Sequence, residues 1–157
     1  MAEEIEETYE EPVAKIPITV SLEPCKSKFF GDDLDGFKSE LTNGKFKVFT
    51  SNYKYSDDYD GRPSFIINNL LNGFVKQLED KRKYLFVGFR ATKTDNKYTI
   101  TGAWITNCTV PMADVVLDKY EDFNWTDVDV TNANDVTIVL QILDRTKDDN
   151  VLTSYLH

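Results

Sequence analysis

The sequence predicts an α+β fold, an antiparallel sheet of about five strands flanked by helices. Three observations point there. From Pro63 to about Lys83, apolar residues recur at helical spacing. Two runs rich in apolar, aromatic and β-branched residues, Tyr84–Arg90 and Lys97–Asn107, flank the polar turn Thr94-Asp95-Asn96 and read as a β-hairpin. Strands and helices do not alternate regularly, so the sheet is read as antiparallel.

Taken in order, residues 1–15 read as a disordered acidic leader, and 16–157 as a single domain. Residues 16–24 (IPITVSLEP) suggest an extended lead-in bounded by prolines. A short helix is expected from Asp35 to Leu41, because Phe37 and Leu41 are four apart and share a face. Asn43-Gly44 would end it, glycine being favoured at the C-terminal cap. Lys45–Tyr55 alternates, with Phe46, Val48 and Thr50 on one side of a strand. SDDYDGRPS follows as a turn. The long helix then carries Phe65, Ile66, Leu70, Leu71, Phe74, Val75 and Leu78, with Pro63 suited to its first turn. Gly73 sits inside it at a cost of about 1 kcal/mol relative to alanine, which a close packing approach would explain. After the hairpin, Val115–Leu117 suggests another short strand, and KYEDFNWTDVDV an irregular stretch with a strand at its end. Val136, Val139, Leu140 and Leu143 place a helix at about Asn134–Arg145.

Charge and cysteine usage bound the function. Net charge is −9, and six glutamates within the first 11 residues supply two-thirds of it. So acidic a chain disfavours direct nucleic-acid binding. The leader reads as a solvated segment, with capture of a basic partner as its functional alternative. No apolar run approaches the length of a membrane-spanning helix, and the N-terminus lacks a secretory signal. Cys25 and Cys108 read as reduced thiols in a cytoplasmic protein. The triplets Asn107-Cys108-Thr109 and Asn124-Trp125-Thr126 match glycosylation sequons, which without secretion carry no weight.

No catalytic residue, metal ligand or cofactor site is predicted. His157, the single histidine, is the last residue, which removes histidine triads and histidine-ligated metals. Gly31–Gly36 and Ser56–Gly61 each echo half of a calcium loop. Both fail at position twelve, where Thr42 and Ile67 stand instead of a bidentate glutamate. Phosphate-binding glycine loops and the nucleophile elbow are absent. The feature that suggests contact with a partner is Lys81-Arg82-Lys83, at the predicted end of the long helix. Its simpler role is to offset the helix dipole, worth about 0.3–1 kcal/mol. Trp104 and Trp125 read as core aromatics.

Four motifs in order then suggest a family. They are Asn52-Tyr53-Lys54-Tyr55, the helix Phe65–Lys83, Ile100-Thr101-Gly102-Ala103-Trp104, and Tyr120-Glu121-Asp122-Phe123-Asn124-Trp125. Together they resemble the conserved C-terminal domain of elongation factor 1-gamma, a subunit of the eukaryotic elongation factor 1B complex. The likeness spans about residues 28–130. Thr101 stands where the family motif has serine, and Phe123 where it has a second tyrosine. The glutathione-transferase-like domain and Lys-rich linker typical of the family are not in this sequence.

The resemblance implies an α+β domain in which Gly73, Gly102, Trp104, Tyr120 and Trp125 are structural motif residues. It also implies a non-catalytic accessory or scaffold subunit supporting translation elongation. The implied partners are elongation factor 1-alpha and the nucleotide-exchange subunit of elongation factor 1B, with Lys81, Arg82 and Lys83 as docking candidates. The alternative is a stand-alone cytosolic protein-interaction module that has left translation.

Overall fold

A hairpin with a two-residue turn sits near the centre of the sheet. In this computed structural model, which describes residues 20–43, 45–145 and 148–156, β2 (Leu85–Thr94) pairs antiparallel with β3 (Lys97–Thr106) from Leu85↔Thr106 to Thr94↔Lys97. Asp95 and Asn96 both take positive φ, 52° and 68°. That is the turn whose twist matches two antiparallel strands, and Asp and Asn tolerate it best after glycine.

β1 (Lys47–Tyr53) pairs antiparallel with the far side of β3, and β4 (Phe123–Asp127) with β1. β5 (Val151–Leu156) pairs antiparallel with β2. The described residues thus form a five-stranded antiparallel sheet, in the order β4-β1-β3-β2-β5. The α+β expectation holds.

Helices cover both faces, which explains why Tyr84–Phe89 is apolar almost without alternation. On one face, Leu85, Val87, Phe89, Ile100 and Trp104 pack with α3 (Ser64–Gln77), through Ile67 and Leu71, and with α4 (Met112–Val116). On the other, Val48, Phe86, Ala103 and Ile105 meet α1 (Glu23–Phe30), α2 (Leu34–Thr42) and α5 (Ala133–Ile142). Phe29 anchors this side, its ring centroid 5.0 Å from Phe37 and 5.1 Å from Phe86.

Several expectations need correction. Glu23 and Pro24 open helix α1 instead of ending an extended lead-in. Pro24 fits a first turn, and Ser21 Oγ accepts the Glu23 N–H at 3.1 Å. The long helix stops at Gln77, and a 3-10 turn, Glu79–Lys81, follows it. Its buried stripe runs through Ile67, Leu71 and Leu78, leaving Phe65 63% exposed. Val115 and Val116 belong to α4, because both are buried against the first core cluster and burial outweighs β-branched preference. Leu117–Asp122 is a 3-10 turn, and β4 follows it directly, in the middle of its segment. β5 had no counterpart in the sequence reading. The leader, residues 16–19 and Gly44 lie outside the described residues.

Gly73 is a further correction. Apart from the helix's own neighbouring backbone, nothing lies within 4 Å of where its Cβ would stand, so no close approach requires glycine. Gly73→Ala is therefore expected to stabilise the protein by up to ~1 kcal/mol, raising the melting temperature by about 3 °C. A thermal melt showing a lower midpoint would refute this.

Candidate functional site

Gly102, Trp104, Tyr120 and Trp125, far apart in sequence, meet on one face of the sheet. Gly102 lies opposite Ser51 in the β1–β3 register. A Cβ on Gly102 would stand 2.8 Å from Ser51 Oγ and 2.9 Å from Trp104 Nε1. The space it leaves lets the Trp104 indole N–H donate to Ser51 Oγ at 2.8 Å. Trp104 is fully buried, edge-on to Phe89 at 5.4 Å and 4.7 Å from Trp125. Tyr120 stacks on Trp125 at 5.2 Å and 9°, and the Trp125 indole N–H donates to the Tyr120 carbonyl at 2.9 Å. Both indole N–H groups are spent on the fold, so this cluster positions strands.

The basic turn differs. Lys81 closes the 3-10 turn after α3, and its largely buried side chain reaches Asp80 Oδ1 at 3.5 Å. Arg82 and Lys83 are exposed, and among the described residues neither has a carboxylate within ion-pair distance. Arg82 Nε donates to the Glu79 carbonyl at 3.1 Å.

The turn's backbone is held from elsewhere. Lys26 Nζ donates to the Arg82 carbonyl at 2.7 Å, Asn107 Nδ2 to the Lys83 carbonyl at 3.2 Å, and Thr106 Oγ1 to the Tyr84 carbonyl at 2.8 Å. The result is a pinned pair of exposed cations, suited to meeting carboxylates on another surface. Burial pulls the Lys26 ammonium below its usual value; Glu23 opposes this and Arg82 adds to it. Lys26, Thr106 and Asn107 escaped the sequence reading because they act on the turn across 56, 22 and 24 residues. Asn107 is also buried with its amide engaged, which leaves no room for a glycan there.

Neither thiol is set up for nucleophilic chemistry. Burial, reinforced by Glu40, pushes Cys25 up to about 12, and burial raises Cys108 as well. The first acidic loop serves the fold: Asp33 Oδ1 accepts the Gly36 N–H to cap α2, and Asp32 pairs with Arg145 at 3.2 Å. Among the described residues no three His, Cys, Asp or Glu side chains group as metal ligands, and no helix is long and apolar enough to cross a membrane.

A family model described as the elongation factor 1 gamma conserved domain matches residues 10–109. The match takes in β1, α3, the basic turn and the hairpin, and ends before Tyr120 and Trp125. Elongation factor 1-gamma of Schizosaccharomyces pombe is 31% identical over 96 residues, covering 60% of this chain and 23% of that protein. Probable elongation factor 1-gamma of Caenorhabditis elegans is 26% identical over 133 residues, covering 79% and 33%. Elongation factor 1-gamma 2 of Saccharomyces cerevisiae is 28% identical over 128 residues, covering 77% and 30%. The chain spans about a quarter to a third of the length of these relatives.

Proposed function

The chain belongs to the elongation factor 1-gamma conserved-domain family, and from that premise we propose that it is a non-catalytic subunit of the translation elongation factor 1 complex. It acts in the cytoplasm as a scaffold, residues 16–157 forming one domain that docks partners through exposed charge. The family match over residues 10–109 is the observation that carries this reading. Arg82 and Lys83, exposed and without a carboxylate at ion-pair distance among the described residues, support the basic turn as the docking face. The indole N–H groups spent on the fold and the raised thiol values favour a role without chemistry. Elongation factor 1-alpha and the nucleotide-exchange subunit of elongation factor 1B are the proposed partners.

Purification of the tagged chain from its own cells, followed by mass spectrometry, tests this. Recovery of elongation factor 1-alpha or the exchange subunit is expected. The double variant Arg82→Glu, Lys83→Glu should cut that recovery by about tenfold, because reversed charges face the same carboxylates. Both side chains are exposed, so the melting temperature should stay within about 2 °C. Lys81 is left intact because its side chain is packed. Recovery of neither factor would sink membership of the complex. Recovery unchanged by the double variant would sink the basic turn as docking face.

A further inference from the structure

A cleft opens between the α1–α2 loop and α5. Phe29, Leu34, Leu140 and Leu143 give it an apolar wall, and its volume is about 520 Å³, inside the roughly 300–1,000 Å³ of clefts that take ligands. The apolar surface continues past the mouth. Leu34 is 57% exposed, and Ile138, on α5 three residues before Gln141 of the lining, is 48% exposed. An apolar patch of this kind with a polar rim marks a contact surface.

The rim is acidic on both sides. On the loop side, Asp32, Asp33 and Asp35 surround Leu34, and all three are exposed. On the α5 side stand Asp129, Asp135 and Asp144, and no lysine or arginine occurs between Lys119 and Arg145. Asp135 lies one turn before Ile138, so the two share a face. The neighbouring cations are Arg145, Arg90 and Lys38. Arg145 is held in place: Nη1 lies 3.2 Å from Asp32 Oδ1 and donates to the Phe29 carbonyl at 3.4 Å, with the guanidinium over the Phe29 and Phe30 rings at 5.7 and 5.5 Å. Arg90 Nη1 donates to the Asp144 carbonyl at 3.2 Å. Lys28 of α1 is paired with Glu40 at 3.1 Å. Among the described residues, Asp33, Asp35 and Asp135 have no cation within ion-pair distance. The rim is therefore net negative.

These features select the occupant. An acidic rim repels phosphates, and it repels a second copy of a chain whose net charge is −9. A small ligand inside the cleft would leave Leu34 and Ile138 in water, whereas a segment lying along α5 covers both. The apolar wall suits a bulky aliphatic side chain, and the rim suits lysine or arginine on either side of it.

We infer that the cleft between the α1–α2 loop and α5 docks a basic amphipathic segment of a partner protein, with its aliphatic anchor against Phe29, Leu140 and Leu143 and its cations facing Asp33, Asp35 and Asp135. This goes beyond the docking reading. It is a second surface, opposite in sign to the basic turn, and either can fail without the other.

Amide shifts of the isotope-labelled full-length chain, titrated with a synthetic leucine–lysine peptide of amphipathic helical pattern, test it. The shifts are expected to centre on Leu34, Thr137, Ile138 and Gln141, and to spare Ser56–Tyr59 in the other acidic loop. Peptides with glutamate for lysine, or serine for leucine, should bind at least tenfold more weakly. The double variant Leu34→Ser, Ile138→Ser should weaken binding of the lysine peptide about tenfold. Both side chains are exposed, so its melting temperature should stay within about 2 °C of the parent. Shifts that follow acidic residues everywhere, Ser56–Tyr59 included, would overturn the proposal. So would equal binding of the glutamate peptide, binding unchanged by the double variant, or no binding of the lysine peptide. Shifts of the same amides on dilution without peptide would overturn it in favour of a second copy.

Discussion

Trp104→Ala is expected to destabilise the protein by about 3–5 kcal/mol, measured by denaturant unfolding. The indole is fully buried and touches Phe89, Phe123 and Trp125. Its removal leaves a cavity among Phe89, Phe123 and Trp125 and also strips Ser51, itself buried, of its donor. Trp104→Phe separates the two costs. It keeps most of the volume but loses the hydrogen bond, for about 1–3 kcal/mol. Adding Ser51→Ala to Trp104→Phe should then cost less than Ser51→Ala alone, because the two groups act as a pair. Full additivity in that cycle would mean the bond contributes nothing to stability.

Raising the pH above 9 is expected to lower the stability of the protein through its buried thiols and phenols. Cys25 moves from its usual 9.0 to about 12 through burial and the nearby Glu40. Tyr53 moves from 10.0 to about 12 through burial, with Tyr59, Asp122 and Asp58 adding to it. Cys108 and Tyr155 are raised in the same direction, chiefly by burial. These groups stay protonated in the native chain while the unfolded chain ionises. Their contribution is therefore complete below about pH 9 and is lost as pH climbs to about 12. Cys25 alone accounts for about 2–3 kcal/mol of that loss between pH 8 and 11. The Cys25→Ala variant is less stable at neutral pH, but its loss over the same interval should be smaller by that amount. Equal pH dependence in the two proteins would refute the assignment to Cys25.

Local chemistry made the hairpin legible. Asp95 and Asn96 are turn residues between apolar runs, and their spacing alone brings β2 and β3 together. α2 was equally plain, with Phe37 and Leu41 four apart; the structure adds Asp33 as its cap. α5 was found through Val136 and Val139, and Asn132 caps it by accepting the N–H groups of Asn134 and Asp135. The elements that were missed lack such local signals. β5 is half-buried along most of its length and exists because β2 offers it a free edge about 60 residues upstream. α4 ends in two valines, residues of strand preference, and is helical because Met112, Val115 and Val116 are buried in the first core cluster.

The candidate docking site divides the same way. Lys81, Arg82 and Lys83 were visible as a run of cations, and the family motifs around them were visible as residues in order. The sequence by itself determined the sheet's central hairpin, the helical stripe beside it and the family. The hairpin and the stripe rest on neighbours within a few residues, where turn geometry and helical period act directly; the family rests on the resemblance of four motifs in order. Only the tertiary structure decided that Lys26, Thr106 and Asn107 pin the basic turn. It alone showed that Gly102 makes room for Trp104 while Gly73 makes room for nothing, and that one Asn107 amide holds both Val20 and Lys83. Each of these depends on atoms brought within about 3 Å by chain closure, and no local pattern encodes a distance across the fold.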